Sequence, residues 1–398
     1  MFGLSGSSKK ATYGVLIDVG SGSIGVAIVS SNERKKLPEI LFTHRIKMRP
    51  GDTSNTADYM RRMREALFSA SLILAKEGLG MLREYDKTGK ISRILVTCSS
   101  PWAETISRKV TYTHDSPFKV TDNLLEELVK NAEKEMGGVV ETEILGSSSN
   151  LHVVERATVH YEVNDYLVKN PIDLTGESLS LFHVTGVVPE EILDAVHEVQ
   201  EKVFSETEIS IHTFLLVIYC VLRDIFPERA SLSIVNVTGE ATEIGIIHEG
   251  VLVDSVYAPY GSNTLIREIS DESKKTPEDI ATDLRAYAEE TSHSASTEKV
   301  ETHIASYAVH LSEAIKTVTD ERALPETMII TGSAQLSTFF QKIIPQIAHE
   351  TTKTDFRIID LKKHVIDEIA KDHQEDVYLA IVSGFFHKLH SCGDFEPF

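Results

Sequence analysis

The alternation of apolar and polar positions at the start of the chain predicts three strands, a helix and a fourth strand. Short turns separate the apolar stretches YGVLID, IGVAIVSS and EILFTHRIKM, a pattern that is typical of an antiparallel meander. Between Thr56 and Tyr85, apolar residues return every three or four positions, which predicts an amphipathic helix. The stretch ISRILVTCSS that follows predicts a buried strand.

The middle of the chain has a different pattern. The segment VTDNLLEELVKNAEKE predicts an amphipathic helix, with Thr121 or Asp122 as its N-cap. The segments NLHVVERATVHYEVNDYLV and SLSLFHVTGVV are rich in β-branched and apolar residues and predict strands, with a turn-rich segment between them. This part of the chain is therefore predicted to form a small α+β unit.

From Pro189 onward the pattern predicts two helices, of which the second, ISIHTFLLVIYCVLRDIF, is strongly apolar. A second strand-turn-strand element, LSIVNVTGEATEIGIIHEGVLVDSVYAPYG, repeats the first one about 220 residues later. The charged segment from Ser270 to Lys299 predicts a peripheral, partly helical piece. A helix, the strand-turn-helix ETMIITGSAQLSTFFQKII, the strand FRIIDL and the helix VYLAIVSGFFHKL complete the pattern.

Composition and charge exclude several classes of function. The 398 residues contain 40 Lys and Arg against 60 Asp and Glu, a net charge of −20, which argues against nucleic acid or an anionic membrane as the main partner. The three cysteines lie far apart and have no zinc-site spacing, so neither a metal site nor a disulfide framework is predicted. No apolar h-region follows the N-terminal lysines, and the longest uncharged run, about 209–222, is too short to span a bilayer. We therefore expect a cytoplasmic protein without direct membrane insertion.

The first glycine-rich turn carries candidate phosphate-binding and metal-binding groups. Glycines let backbone N–H groups approach a phosphate closely, and hydroxyl groups supply further donors. An aspartate at the end of a strand can hold a hydrated Mg²⁺ beside such a phosphate. The candidates for this site are Asp18, Gly20, Ser21, Gly22 and Ser23, with Asp18 as the metal ligand.

Two further turns complete the candidate site. The turn that contains Asn236, Gly239 and Thr242 occupies the same place in the second strand-turn-strand element, so the two turns are expected to clamp a polyphosphate between them. The turn at Gly332 and Ser333 joins a strand to a helix, and a helix N-terminus behind such a turn suits a phosphate or the sugar-base part of a nucleotide. Each turn alone is also typical of an ordinary loop.

These motifs resemble those of a known superfamily. The two strand-turn-strand elements and the final TG turn are similar to the phosphate-one, phosphate-two and adenosine motifs of actin, the DnaK-type chaperones and the sugar kinases. Within that superfamily, the chain resembles the branch that contains the cell-division protein FtsA and the pilus assembly protein PilM. The segment from Asn170 to Leu179 resembles part of the inserted SHS2 domain of FtsA, and IATDLR, with Arg285, resembles the helix that contacts adenosine.

The resemblance implies an α/β, actin-like (ribonuclease H-like duplicated) two-lobed fold with an inserted α+β SHS2-type domain. It also implies a division of the chain. The expected units are 11–94 for the first lobe, 95–188 for the insertion, 189–229 for the first lobe continued, 230–375 for the second lobe with a peripheral subdomain at about 266–299, and 376–398 for a helix that returns to the first lobe.

The resemblance further implies ATP and Mg²⁺ as cofactors, but several residues depart from the family pattern. Asn236 stands where the family has an aspartate, Thr238 and Glu240 interrupt the glycine-rich triplet, and Ser333 replaces a glycine. These departures put hydrolysis in doubt and leave open whether ATP and Mg²⁺ are still bound. No catalytic residue is identified.

The implied function is an FtsA-like cytoplasmic scaffold that binds ATP and organises an assembly at the inner membrane face, in cell division, with an FtsZ-like partner. The alternative is a PilM-like protein that docks onto the cytoplasmic peptide of a pilus platform component. The C-terminal FFHKLHSCGDFEPF is not a basic amphipathic helix of the kind FtsA uses, which favours this alternative. Self-association, a slow ATPase activity and, least favoured, a sugar kinase activity also remain open.

Overall fold

The first lobe is built on a sheet with the strand order β3-β2-β1-β4-β9. Strands β1, β2 and β3 form the expected antiparallel meander, whereas β4 and β9 run parallel to β1. From Val15 to Val19, every residue of β1 is buried, as is expected for a central strand that is covered on both faces. The strands are β1 (Thr12–Val19), β2 (Ser23–Ser31), β3 (Glu39–Lys47), β4 (Ile91–Cys98) and β9 (Glu208–Thr213).

The second lobe repeats this sheet with the order β12-β11-β10-β13-β14. Strands β10, β11 and β12 form an antiparallel meander, and β13 and β14 run parallel to β10. The duplication predicted from the two strand-turn-strand elements therefore extends to whole sheets. The strands are β10 (Leu232–Val237), β11 (Thr242–His248), β12 (Val251–Ala258), β13 (Thr327–Gly332) and β14 (Arg357–Ile359).

Helices cover both sheets, and two apolar helices lie between the lobes. All residues of α5 from Phe214 to Leu222 are buried, and they share one apolar cluster with α11 and with residues of both sheets. In the first lobe the helices are α1 (Thr56–Ile73), a π-helical turn (Leu74–Gly78), α2 (Leu79–Tyr85), α4 (Glu190–Val203), α5 (Phe214–Arg223) and α11 (Val377–Ser391). In the second lobe they are α6 (Ser262–Ser273), α7 (Pro277–Ala288), α8 (Ser296–Thr319), α9 (Ser337–Thr352), α10 (Leu361–His364) and a 3₁₀ turn (Ile366–Glu368).

A further sheet, with the order β5-β8-β6-β7, packs against α3 and forms a small core with it. A register shift in β6 between Val153 and Glu155 lets the Glu155 side chain reach the end of β9 in the first lobe, where its carboxylate accepts a hydrogen bond from the Thr213 backbone N–H at 2.8 Å. The elements are β5 (Glu104–Lys119), α3 (Asp122–Gly137), β6 (Leu151–Val163), β7 (Tyr166–Val168) and β8 (Thr175–Pro189).

The computed structural model describes residues 11–48, 56–137, 150–226, 230–290, 296–319, 322–372 and 376–391. The C-terminal residues considered above from 392 onward therefore lie outside the described part. In these ranges no helix is both long enough and apolar enough to cross a lipid bilayer.

The structure differs from the sequence-based prediction at two boundaries. The predicted start of the insertion, residue 95, falls inside β4, because Ile91–Cys98 is one continuous strand of the first sheet. The segment predicted as one apolar helix from Ile209 is a strand up to Thr213 and a helix only from Phe214. Pairing with β4 explains the difference, since Ile209 and Ile211 fit a β-strand as well as a helix. Strand β5 was not predicted.

Candidate functional site

The two glycine-rich turns meet between the lobes. A Cβ on Gly22 would lie 3.1 Å from the Gly239 Cα, so the backbones of the turns are in direct contact. The Ser21 hydroxyl donates a hydrogen bond to the Thr238 hydroxyl at 2.9 Å and accepts one from the Glu240 backbone N–H at 2.9 Å. The turns thus bind each other through groups that the sequence analysis assigns to a phosphate ligand.

Equivalent residues precede the turns in the two lobes. Asp18 is the residue before the last of β1, beside Thr97 of β4, and Asn236 is the residue before the last of β10, beside Thr331 of β13. The threonine hydroxyl donates to the neighbouring side chain in both lobes, at 3.4 Å to Asp18 and at 3.0 Å to Asn236. Asn236 is therefore the structural counterpart of Asp18, without its negative charge.

Arg45 of β3 is the ion-pair partner of Asp18. Its Nη1 lies 2.9 Å from the Asp18 carboxylate, and the same guanidinium contacts Asp376 at 2.7 Å through Nε. Burial raises the pKa of Asp18 to about 6; Arg45 opposes this rise, and the second carboxylate, Asp376, adds to it. One cation thus serves two carboxylates, and Asp18 is engaged by protein.

Glycine at position 25 makes room for this guanidinium. Gly25 pairs with Asp18 across the β1–β2 ladder, and a Cβ at Gly25 would lie 2.4 Å from Nη2 of Arg45. Nη1 of Arg45 also donates to the Ser23 hydroxyl at 2.9 Å, and the guanidinium lies 5.3 Å from the centre of the Tyr378 ring. Arg45 is therefore fixed on several sides against the first turn.

Asn236 belongs to a second buried network. Its Oδ1 accepts hydrogen bonds from the Tyr378 hydroxyl at 2.8 Å and from Thr331, and its Nδ2 lies 3.4 Å from the Glu243 carboxylate. Burial raises the pKa of Glu243 to about 7, and hydrogen bonds from Asn236 and Ser100 oppose that rise. Asn236 thus faces protein partners and does not line the cavity described below.

The Glu240 side chain points away from the gap between the turns. Its carboxylate contacts Arg267 at 3.0 Å and accepts a hydrogen bond from Thr264 at 2.8 Å, both on α6. The repulsion expected from a carboxylate inside a phosphate site is therefore avoided. Its backbone N–H, in contrast, is aimed at the first turn, where Ser21 accepts it.

A cavity of about 600 Å³ opens beside the turns, between the lobes. Lys47 Nζ crosses it to donate to Gln335 at 3.1 Å, which links the first lobe to the TG turn. Most of the candidate residues line this cavity: Asp18, Gly20, Gly22, Ser23, Gly239, Gly332 and Ser333. Residues that the sequence analysis did not single out and that also line it include Arg45, Lys47, Asp376 and Tyr378.

Four of the sequence-based candidates lie elsewhere. Ser21 and Asn236 are fully buried and bound to protein groups. Thr242 donates to the Tyr260 carbonyl oxygen at 2.8 Å beneath the second turn. Arg285 is exposed on α7, where it bonds to Thr282 and to the Ala281 carbonyl oxygen of its own helix. That helix reaches the cavity through other residues, among them Glu278 and Ala281.

The residues present fit a nucleoside better than they fit Mg²⁺ and a triphosphate. The cavity has the size of a small ligand site, and the backbone of the TG turn and one side of α7 form part of its wall. The two turns, however, leave no gap for a phosphate at their point of contact. In the described ranges no cluster of three metal-binding side chains occurs, and Asp18 is paired with Arg45. Mg²⁺ therefore does not fit at Asp18 as the side chains stand.

Charge in the cavity leads to the same conclusion. The charged residues of its lining are Asp18, Glu278, Asp360, Asp376, Arg45, Lys47 and Lys362. Carboxylates thus outnumber cations, although a triphosphate binds best where cations are in excess.

Comparison with known proteins identifies the fold. No protein-family model matches the sequence, and neither does any curated protein. A solved structure described as a PilM-PilN type IV pilus biogenesis complex is similar, with a TM-score of 0.59 and 11% identity over 95% of this chain and 98% of that chain.

Two other solved structures have lower TM-scores. The ethanolamine utilization protein EutJ from Carboxydothermus hydrogenoformans has a TM-score of 0.42 and 11% identity, and the match covers 94% of this chain and 89% of that chain. A Bacteroides thetaiotaomicron protein with an actin-like ATPase fold has a TM-score of 0.41 and 11% identity, and the match covers 90% of this chain and 94% of that chain. At such identities the likeness concerns the fold alone: the chain has the α/β fold of the actin-like ATPases.

Proposed function

We propose that the protein is an actin-fold scaffold that acts by binding partner proteins and does not hydrolyse ATP. The observation that carries this proposal is the direct contact between the two turns at Gly22 and Gly239. In a phosphoryl-transfer enzyme, positioned donors and a metal ion stabilise the charge of the transferring phosphoryl group. Here the corresponding donors bond across the turns and contribute to holding the lobes together.

The charged groups support the same proposal. A metal ion near the first turn would have to displace the Arg45 guanidinium from Asp18. Asn236 carries no charge that could attract Mg²⁺, and its side chain is already bonded to Tyr378 and Thr331. We therefore propose that ATP, where it binds, is held weakly by its nucleoside end in the cavity, without Mg²⁺.

The partners that we propose are proteins at the inner face of the membrane, so that the protein is cytoplasmic and reaches the membrane through a partner. The similar PilM structure is a complex with PilN, which supports a partner-binding role of this fold. A pilus platform component and an FtsZ-like protein of the division machinery remain the two candidates, and self-association is a further one. Affinity capture from an extract of the source cells, with the intact chain as bait, would distinguish them.

A nucleotide experiment tests the catalytic part of the proposal. We expect calorimetric titration with ATP to give the same weak binding with Mg²⁺ and with EDTA, and phosphate release to stay at the blank rate. Ser333→Trp, which fills the cavity from an exposed position, should abolish the binding, whereas the control Arg285→Ala on the same lobe should not. Steady turnover that depends on Mg²⁺ and disappears in Asp18→Ala would overturn the proposal.

A further inference from the structure

A groove lies between α8 and α9 of the second lobe, and it shares no lining residue with the cavity. Its volume is about 490 Å³. The residues that α8 contributes have the spacing i, i+3, i+4, i+7 along about four turns, so they form one continuous stripe of the helix. They are Glu301, Ile304, Ala305, Ala308, Val309, Ser312, Glu313 and Lys316, and α9 contributes Ile343, Gln346, Ile347 and Glu350.

The floor of the groove is apolar and partly open to solvent. Val309 is 57% exposed, one of the largest exposures of an apolar side chain in the described residues. Ile304 and Ala308 are partly buried against the core of the second lobe, so the core reaches the surface there. Small side chains such as Ala305 and Ala308 allow another backbone to come close. The shape suits the apolar stripe of a single helix.

The rim of the groove is acidic. Glu301, Glu313 and Glu350 are exposed, and they outnumber Lys316, the one cation among the lining residues named above. The two helices run side by side in the same direction, since the Tyr307 ring of α8 lies 5.7 Å from the Phe340 ring of α9 and Ser312, further along α8, bonds to Thr351, further along α9, at 2.8 Å. Glu350 lies in the last turn of α9, where the partial negative charge of the helix end adds to its own, and Lys316 partly offsets the charge of the rim.

We infer that the α8–α9 groove docks a basic amphipathic helix of a partner protein. Apolar residues at positions i, i+3, i+4 and i+7 of that helix lie on the floor, and Lys or Arg residues beside them face the glutamates. This inference assigns the surface and the chemistry of a partner, and it does not depend on what the cavity binds. A second copy of this chain is a poor occupant, because its net charge of −20 opposes close approach.

A labelled peptide tests the inference. The probe is an 18-residue fluorescent peptide of Leu and Lys, with Leu at helical spacing, and the control peptide has the same composition in scrambled order. We expect the full chain to raise the fluorescence anisotropy of the helical peptide at concentrations about tenfold lower than those needed for the scrambled one. Binding should weaken as NaCl is raised, because the rim charges are exposed.

Variants locate the binding. The pair Glu313→Lys and Glu350→Lys should weaken binding of the helical peptide about tenfold, about 1.4 kcal/mol, and Val309→Gln should also weaken it. The matched control is Glu77→Lys with Glu84→Lys, an exposed pair on the first lobe with the same change in net charge. Equal binding of both peptides, or equal effects of the two charge reversals, would overturn the inference. Self-association of the chain that Val309→Gln abolishes would do so as well.

Discussion

Gly239 and Gly22 pack backbone to backbone across the boundary between the lobes: a Cβ on Gly239 would lie 2.6 Å from both Cα and N of Gly22. Neither residue has a positive φ, so the requirement for glycine here comes from the close approach and not from backbone conformation. The two turns, one from each copy of the duplicated element, thus serve as an interlobe contact.

The first prediction is that Gly239→Ala destabilises the protein by about 1–3 kcal/mol, the usual cost of overpacking. The atoms that the new methyl group would meet are backbone atoms of Ser21 and Gly22, which cannot rotate away. Urea unfolding followed by circular dichroism measures the change.

Gly80→Ala is the control for this substitution. Gly80 lies in α2 with nothing within 4 Å of its Cβ position, so alanine there should stabilise the protein by about 0.5–1 kcal/mol. Two glycine substitutions of equal effect would show that the turns do not touch in solution.

The second prediction concerns the ion pair of Asp18 with Arg45. Arg45→Met should destabilise the protein by about 3–5 kcal/mol, because it leaves the buried Asp18 carboxylate without its cation. Adding Asp18→Asn should recover a large part of that loss. Unfolding free energies of the two single variants and of the double variant give the coupling between the residues.

The control is Arg285→Met, on the exposed side of α7, with an expected effect within about 0.5 kcal/mol. If the changes in unfolding free energy of the two single variants simply added in the double variant, Asp18 and Arg45 would not stabilise the protein through their ion pair.

Asp18 shows which part of the site the sequence predicts. Its place at a strand end before a glycine-rich turn follows from local pattern, and the structure brings Asp18, Gly20, Gly22 and Gly239 to one cavity. Its partner does not follow from local pattern. Arg45 is one polar position of β3 among others, and only the pairing of β2 with β3 carries its side chain across Gly25.

The fold was predicted more completely than the site for the same reason. Strand and helix periods are local, so the duplicated meanders and most helices could be placed from the sequence. Strand β5, in contrast, contains the polar run Thr111–Ser116, and its place in the sheet depends on pairing with β8. The family resemblance implies that Arg285 contacts adenosine, because it lies on the helix that resembles the adenosine-contacting one. That helix does line the cavity, but Arg285 is on another side of it.

The third prediction is that Glu243 makes the stability of the protein depend on pH. Its pKa of about 7 in the folded protein lies above the usual value of 4.5, so its contribution to stability is complete below pH 4.5 and is lost as pH rises through 7. Glu243→Gln removes this loss while it keeps a side chain of the same length. The variant should therefore gain stability relative to the natural protein between pH 5 and 8, by up to about 3 kcal/mol.

Unfolding free energies of both proteins at several pH values measure this difference, in which the contributions of other groups such as Asp18 cancel. Glu84→Gln, an exposed substitution of the same type, is the control and should change stability by less than about 0.5 kcal/mol at each pH. A constant difference for Glu243→Gln would show that its carboxyl group is ionised with an ordinary pKa in the folded protein.

The last prediction concerns Glu155, which joins β6 of the inserted sheet to β9 of the first lobe. Its carboxylate accepts hydrogen bonds from the backbone N–H and the hydroxyl of Thr213, and it lies 2.8 Å from Nδ1 of His212. Glu155→Ala leaves these buried groups without that acceptor and should lower the free energy of unfolding by about 1–3 kcal/mol. Because the contact joins two parts of the fold, hydrogen exchange should rise more in β6 and β8 than in β10 and β11.

Glu198→Ala removes an exposed carboxylate that pairs with Lys202 on the same helix, and it should change stability little, because exposed ion pairs contribute little. Hydrogen exchange in the inserted sheet should then stay as it is. If Glu155→Ala raised exchange equally in all strands, the residue would stabilise the fold as a whole, and the inserted sheet would unfold together with the two lobes. A rise confined to β6 and β8 would instead identify Glu155 as the attachment of a unit that can open while the lobes stay closed on each other.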